Sequence, residues 1–148
     1  MCIKNWKNVL IGAVLFLIVA QVLHTAFAFA SMGYYMDPAY FGVWSKIMMP
    51  ADGPPPAEFY YYGTAFGFIS ALIYALIYEK FKSAVPGKTF MNKGLNYGLW
   101  IIFLAGTVPG YLGMYLLVNL PAGLIVQWAA ENLIIAVLGG ILIARFNK

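Results

Sequence analysis

The sequence predicts an all-α membrane protein, four transmembrane helices packed as one bundle in a single domain, and three observations carry that prediction. Of 148 residues, 63% are hydrophobic and only 9% are charged, with a mean hydropathy of +0.80. That is more apolar surface than one soluble domain of this length can hide, so lipid has to be the solvent for much of the chain. The apolar residues gather into four stretches, at about 8–29, 60–78, 93–118 and 122–144, each close to or above the ~20 residues that cross a ~30 Å hydrocarbon core as a helix. Finally, eight of the nine cations fall on one side of that layout: Lys4, Lys7, Lys80, Lys82, Lys88, Lys93, Arg145 and Lys148. By the positive-inside rule the N-terminus, the 79–92 loop and the C-terminus are then cytoplasmic, in a bacterial inner membrane. The net charge of +4 reads as topology; no basic patch with interleaved aromatics points to nucleic acid.

The first span follows Lys4 and Lys7 and imitates a secretion signal, with Ala26-Phe27-Ala28 or Ala28-Phe29-Ala30 as small-residue cleavage sites. Its apolar run is longer than a cleaved signal's, and it is read as a retained anchor. The outer loop 30–59 comes next. Asp37 and Pro38 form an N-cap and a first helical residue, predicting a short helix from Pro38 to about Met49. Its Phe41, Trp44, Ile47 and Met48 would lie flat among the headgroups. Pro50 to Pro56 reads as a stiff connector, and Tyr60, Tyr61 and Tyr62 open the second span as an interfacial anchor.

The second span carries Gly63, Gly67, Ala71 and Ala75 every fourth residue, and the fourth carries Asn132, Ala136, Gly140 and Ala144 likewise. Such stripes let helix backbones approach closely in lipid. The second and fourth helices are expected to meet along them, or one stripe to serve a subunit interface. On the third span Gly106 and Gly110 add a further close-packing face, and Pro109 removes a backbone hydrogen bond and predicts a kink. A short internal similarity, Lys7 to Gly12 against Lys93 to Gly98 and Ile77 to Phe81 against Leu142 to Phe146, is compatible with two parallel helical hairpins.

The candidate site comes from polar residues at depth. At ~1.5 Å per residue, Gln21 and His24 on the first span, Thr64 on the second, Thr107 on the third and Glu131 on the fourth all lie about 20 to 24 Å from the cationic end. Gln127 and Asn132 flank Glu131. A charged group in hydrocarbon costs about 2.5–3.5 kcal/mol, so Glu131 is expected to face inward and pair with His24, with Gln21, Thr107 or Gln127 completing its hydrogen bonds. A carboxyl and an imidazole in contact can hold one proton between them, which makes the pair a candidate ligand or proton site.

Several chemistries are missing from the sequence. One cysteine, Cys2, and one histidine leave no disulfide, no multi-cysteine metal site and no haem held by two histidines of one chain. No second intramembrane acid supports a two-carboxylate mechanism, no Gly-rich loop precedes a phosphate-binding helix, and Glu131 with His24 is too small a set for a metal. No catalytic residue, cofactor or metal is therefore expected.

The stretch 87–146, with Lys93-Gly94, Gly98-Leu99-Trp100, Pro109-Gly110, Asn119-Leu120-Pro121 and Trp128, resembles a loose class of small bacterial four-helix membrane proteins of unknown function. The resemblance implies architecture and no activity. Two functional readings follow from the residues. One is a non-catalytic accessory or scaffold subunit, with the lipid bilayer around it and a protein partner or a second copy against its glycine faces. The other is a small binding or transport protein using the polar layer around Glu131 and His24.

Overall fold

The computed structural model describes residues 5–45, 47–49 and 55–147. Six α-helices follow in order: α1 (Trp6–Ala30), α2 (Met32–Tyr35), α3 (Ala57–Phe81), α4 (Phe90–Asn96), α5 (Val108–Leu117) and α6 (Ala122–Phe146). A 3₁₀ helix (Pro38–Val43) stands between α2 and α3, and a π-helix (Tyr97–Thr107) joins α4 to α5. Four continuous helical segments are long and apolar enough to cross a membrane: α1, α3, the third span Phe90–Leu117, and α6. The chain is an integral membrane protein by that measure.

Local chemistry sets the ends. Asn5 caps α1, its side-chain oxygen accepting from the Asn8 N–H at 3.4 Å, and Thr89 caps α4 by accepting from the Asn92 N–H at 3.2 Å; both satisfy an N–H that the first helical turn leaves unpaired. Asp37 accepts from the Ala39 N–H at 2.9 Å, with Pro38 as the first residue of the 3₁₀ helix. That helix stops at Val43 and not near Met49, because Trp44 turns extended and packs its indole inward, edge-on to Tyr35 with ring centroids 5.4 Å apart. Val43 and Trp44 thus pack on the bundle, against Leu120, Leu124 and Ile125. The greater part of the proline-rich connector, Pro50 to Pro54, lies outside the described residues.

Three sides of the bundle are closed by direct helix packing, and the fourth, between the consecutive α3 and third span, is more open. α1 packs on α3, α6 packs on α1, and α4 with the π-helix packs on α6. This corrects the expected pairing of the second and fourth helices. They stand diagonally across the bundle, and their small residues serve different neighbours. Ala136 and Gly140 of α6 meet Gly94 and Gly98 of the third span, so closely that a Cβ on Gly140 would lie 2.8 Å from the Gly98 Cα. Phe16 of α1 lies over Gly139, where any side chain would overlap its ring. Ala71 and Ala75 are fully buried, in one core with Val9, Ala13 and Phe16 of α1. Gly63 and Gly110, by contrast, face open space, with nothing described within 4 Å of a Cβ placed there.

The remaining side of the bundle, between α3 and the third span, is bridged by tyrosines. Tyr97 donates its hydroxyl to the Tyr74 carbonyl at 2.6 Å, and its ring meets Tyr78 edge-on at 5.0 Å, a geometry favoured by the ring quadrupoles. Gly106 faces Tyr74, whose hydroxyl would lie 3.4 Å from a Cβ there. The expected kink at Pro109 takes the form of a change of helix type. The Val108 N–H bonds the Phe103 carbonyl, five residues back, and the Thr107 hydroxyl bonds the Ile102 carbonyl at 2.9 Å. Proline has no N–H with which to continue that register, and ordinary α-helix resumes as α5.

Candidate functional site: an intramembrane cleft with a buried acid

Glu131 lies on the inner face of α6 with its side chain 5% exposed, and its Oε1 contacts the Nδ1 of His24 from α1. His24 is half exposed. The pair is therefore asymmetric: the carboxyl is sealed among the helices while the imidazole reaches the surface of the bundle. Helical spacing explains the placement, since α1 and α6 pack along their length and the two residues stand at the same height on adjacent, oppositely running helices.

The rest of the polar layer resolves into separate groups. Gln21 donates its amide to the Thr64 hydroxyl at 2.9 Å, tying α1 to α3. Thr107 is spent on its own helix, at the Ile102 carbonyl. Gln127 is half-buried one turn above Glu131, and no side-chain hydrogen bond among the described residues joins the two. None of the three expected side chains thus completes the Glu131 bonds, and the reason is reach: Gln21 and Thr107 each satisfy a nearer partner.

A second polar group was not legible from depth alone. Asn132 donates to the Tyr111 hydroxyl and to the Trp128 carbonyl at 3.0 Å. Tyr111 in turn donates to that same carbonyl at 3.3 Å, and Trp128 Nε1 donates to the Tyr35 hydroxyl at 2.9 Å. Tyr35, Trp44 and Trp128 pack ring against ring, with centroids 5.4 to 6.4 Å apart. Burial pushes the Tyr35 phenol above its ordinary 10.0, and the Trp128 hydrogen bond opposes the effect. Tyr35, Trp128, Tyr111 and Asn132 thus form one hydrogen-bonded cap at this end of the bundle. The signal that finds it is spacing: Tyr111 follows Thr107, and Asn132 follows Trp128, by one helical turn.

Beside the pair lies a cleft of about 200 Å³, on the tyrosine-bridged side where α3 and the third span stand apart. His24, Ser70, Tyr74, Thr107 and Asn132 supply its polar lining, and the remainder is apolar, including Phe16 and Ile135. Each of the four spans thus contributes a polar side chain to one space. Among the described residues no three His, Cys, Asp or Glu side chains come together. Compared with known protein families, curated proteins and solved structures, the chain matches none of them.

Proposed function

We propose that this protein is a small, non-catalytic binding protein of the bacterial cytoplasmic membrane, taking the polar head of a membrane-dissolved molecule into the cleft beside His24 and Glu131. The observation that carries this reading is the asymmetry of the pair: a sealed carboxyl joined through a half-exposed imidazole to a polar-lined opening. An intramembrane ionisable residue is costly and marks a site by default, and apolar walls with a few convergent polar groups are what small-molecule sites present. The volume sets the ligand's shape. At about 200 Å³ the cleft is below the ~300–1,000 Å³ of sites that enclose a drug-sized molecule, so a head group enters while an apolar tail stays in lipid. The distribution of cations supports both termini in the cytoplasm, which sets the cleft in the outer half of the bilayer. Against catalysis stands the engagement of the single histidine: its contact is Glu131, not a hydroxyl or thiol nucleophile.

A second reading, an accessory subunit or homo-oligomer, is favoured by one observation. Gly63 and Gly110 are small residues on spanning helices that nothing among the described residues covers, and such faces seat another helix.

Native mass spectrometry of the protein released gently from its own membrane separates the two. The binding reading expects a bound small molecule, displaced by Ser70→Phe, which fills the cleft, and weakened by Glu131→Gln, which keeps shape and removes charge. Release with a stoichiometric larger protein and no small molecule would instead establish the accessory subunit.

A further inference from the structure

A second cavity, of about 480 Å³, opens at the opposite end of the bundle, where both termini lie, and nothing in the cleft reading uses it. Its lining is chemically one-sided. Lys82, Lys88 and Lys93 border it together with Thr89, and no carboxylate among the described residues does. Lys82 donates to Glu79 at 2.9 Å, and Lys93 donates to the Lys82 carbonyl at 2.8 Å. The latter occupies one of the three N–H donors of the Lys93 ammonium and fixes it at the cavity edge. Gly87, at φ +134°, folds the loop back so that Lys88 and Thr89 arrive at the start of the third span, whose first turn adds the positive end of a helix dipole. Arg145 stands nearby, stacked on the Phe90 ring at 4.8 Å.

The independent observation is Asn147. It is 1% exposed and borders the cavity. Its amide nitrogen donates to the Ile143 carbonyl at 2.9 Å and to the Asn8 carbonyl at 3.5 Å, while its Oδ1 is buried with no hydrogen-bond partner among the described residues. A buried acceptor left unmade carries a desolvation cost of about 1–3 kcal/mol and calls for a donor. The cavity therefore asks for two things at once: negative charge for its lysines and a hydroxyl for Asn147.

We propose that this cavity binds a glycerophosphate group, its phosphate held by Lys88, Lys93 and the Thr89 hydroxyl and a free hydroxyl donated to Asn147 Oδ1. Basic pockets between transmembrane helices on the cytoplasmic side are suited to anionic head groups. The group is either the head of an anionic phospholipid or a soluble phosphate ester, and the chemistry recognised is the same.

The test is native mass spectrometry of the whole 148-residue chain in detergent, titrated separately with dioleoylphosphatidylglycerol, with water-soluble glycerol 3-phosphate, and with dioleoylphosphatidylcholine as the zwitterionic reference. One equivalent of phosphatidylglycerol binding saturably and in preference to phosphatidylcholine is the expected result. Lys88→Glu, at an exposed loop position, leaves the fold intact by circular dichroism and weakens that binding about tenfold. Asn147→Leu weakens it as well. If glycerol 3-phosphate binds with the same sensitivity to Lys88→Glu, the site takes the soluble ester; if only phosphatidylglycerol does, it takes the lipid. Equal binding of the two lipids, or binding that Lys88→Glu does not alter, overturns the proposal.

Discussion

In the half of the bundle nearer Asn5 and Asn147, a Cβ on Gly98 would come within 2.9 Å of the Val137 Cα, while in the opposite half a Cβ on Gly63, Gly110 or Gly113 would meet nothing described within 4 Å. The same residue type therefore does opposite things in different places. Near the termini glycines are the contact: Gly94 and Gly98 admit Gly140 and its neighbours, and Gly139 admits Phe16. In the outer half the helices are held by side chains instead, through Gln21 with Thr64, His24 with Glu131, and Tyr111 with Asn132. Lipid gives no hydrophobic reason for helices to associate, so close backbone packing and interhelical hydrogen bonds are the two available means. This protein uses both: near the termini the glycine seam is supplemented by Tyr97 and Asn147 hydrogen bonds, further along side-chain hydrogen bonds prevail, and the cleft lies between the two.

The contrast makes Gly98→Leu the most damaging change. An isobutyl group there collides with backbone atoms of Ala136 and Val137, which cannot rotate away, and the expected loss is about 3 kcal/mol in unfolding by sodium dodecyl sulfate followed by circular dichroism. Unchanged stability would mean that the third and fourth spans do not touch there.

Tyr97→Phe acts beside the glycine seam, on the side of the third span that faces α3. It keeps the ring against Tyr78 and removes only the hydroxyl that reaches the Tyr74 carbonyl, so a loss of about 1 kcal/mol is expected. A null result in the same unfolding assay would show that the phenol does not hold α3 to the third span.

Gly63→Ala should do least. With nothing to strike and a better helix former in place, the purified chain is expected to be more stable by about 0.5–1 kcal/mol. The same variant sharpens the comparison in native membranes. Reduced accumulation there, with normal stability when purified, would reveal a partner seated on the open face.

How much of this was legible in the sequence follows from what each feature depends on. Span positions depend on composition and length, and the four apolar stretches lie within two or three residues of the helices at most ends. Height in the bilayer is a matter of counting, and it sets His24 and Glu131 at one level, where their side chains meet. Neighbour choice is different. Similar stripes on the second and fourth spans say only that each helix has a close neighbour, and chain connectivity made them diagonal. Trp44 offered itself equally well to lipid or to Trp128, because an indole suits both surroundings; only the turn at Val43 decides. Tyr111 and Tyr35 were lost among eleven tyrosines that serve as well in an interfacial belt.

The π-helix gives the third span one property the other three lack, a reserve of length. An i→i+5 ring holds one residue more than an i→i+4 ring, and each residue of an α-helix is worth about 100° of rotation. Removal of one residue from Tyr97–Thr107 is taken up as the stretch tightens toward α, so α5 and its Tyr111 keep close to their present facing, whereas the same deletion in an all-α span turns everything beyond it by about 100°. The segment thus buffers chain length: the side of the third span that looks onto Asn132 and the cleft is protected there, independently of the glycine seam that anchors the span below.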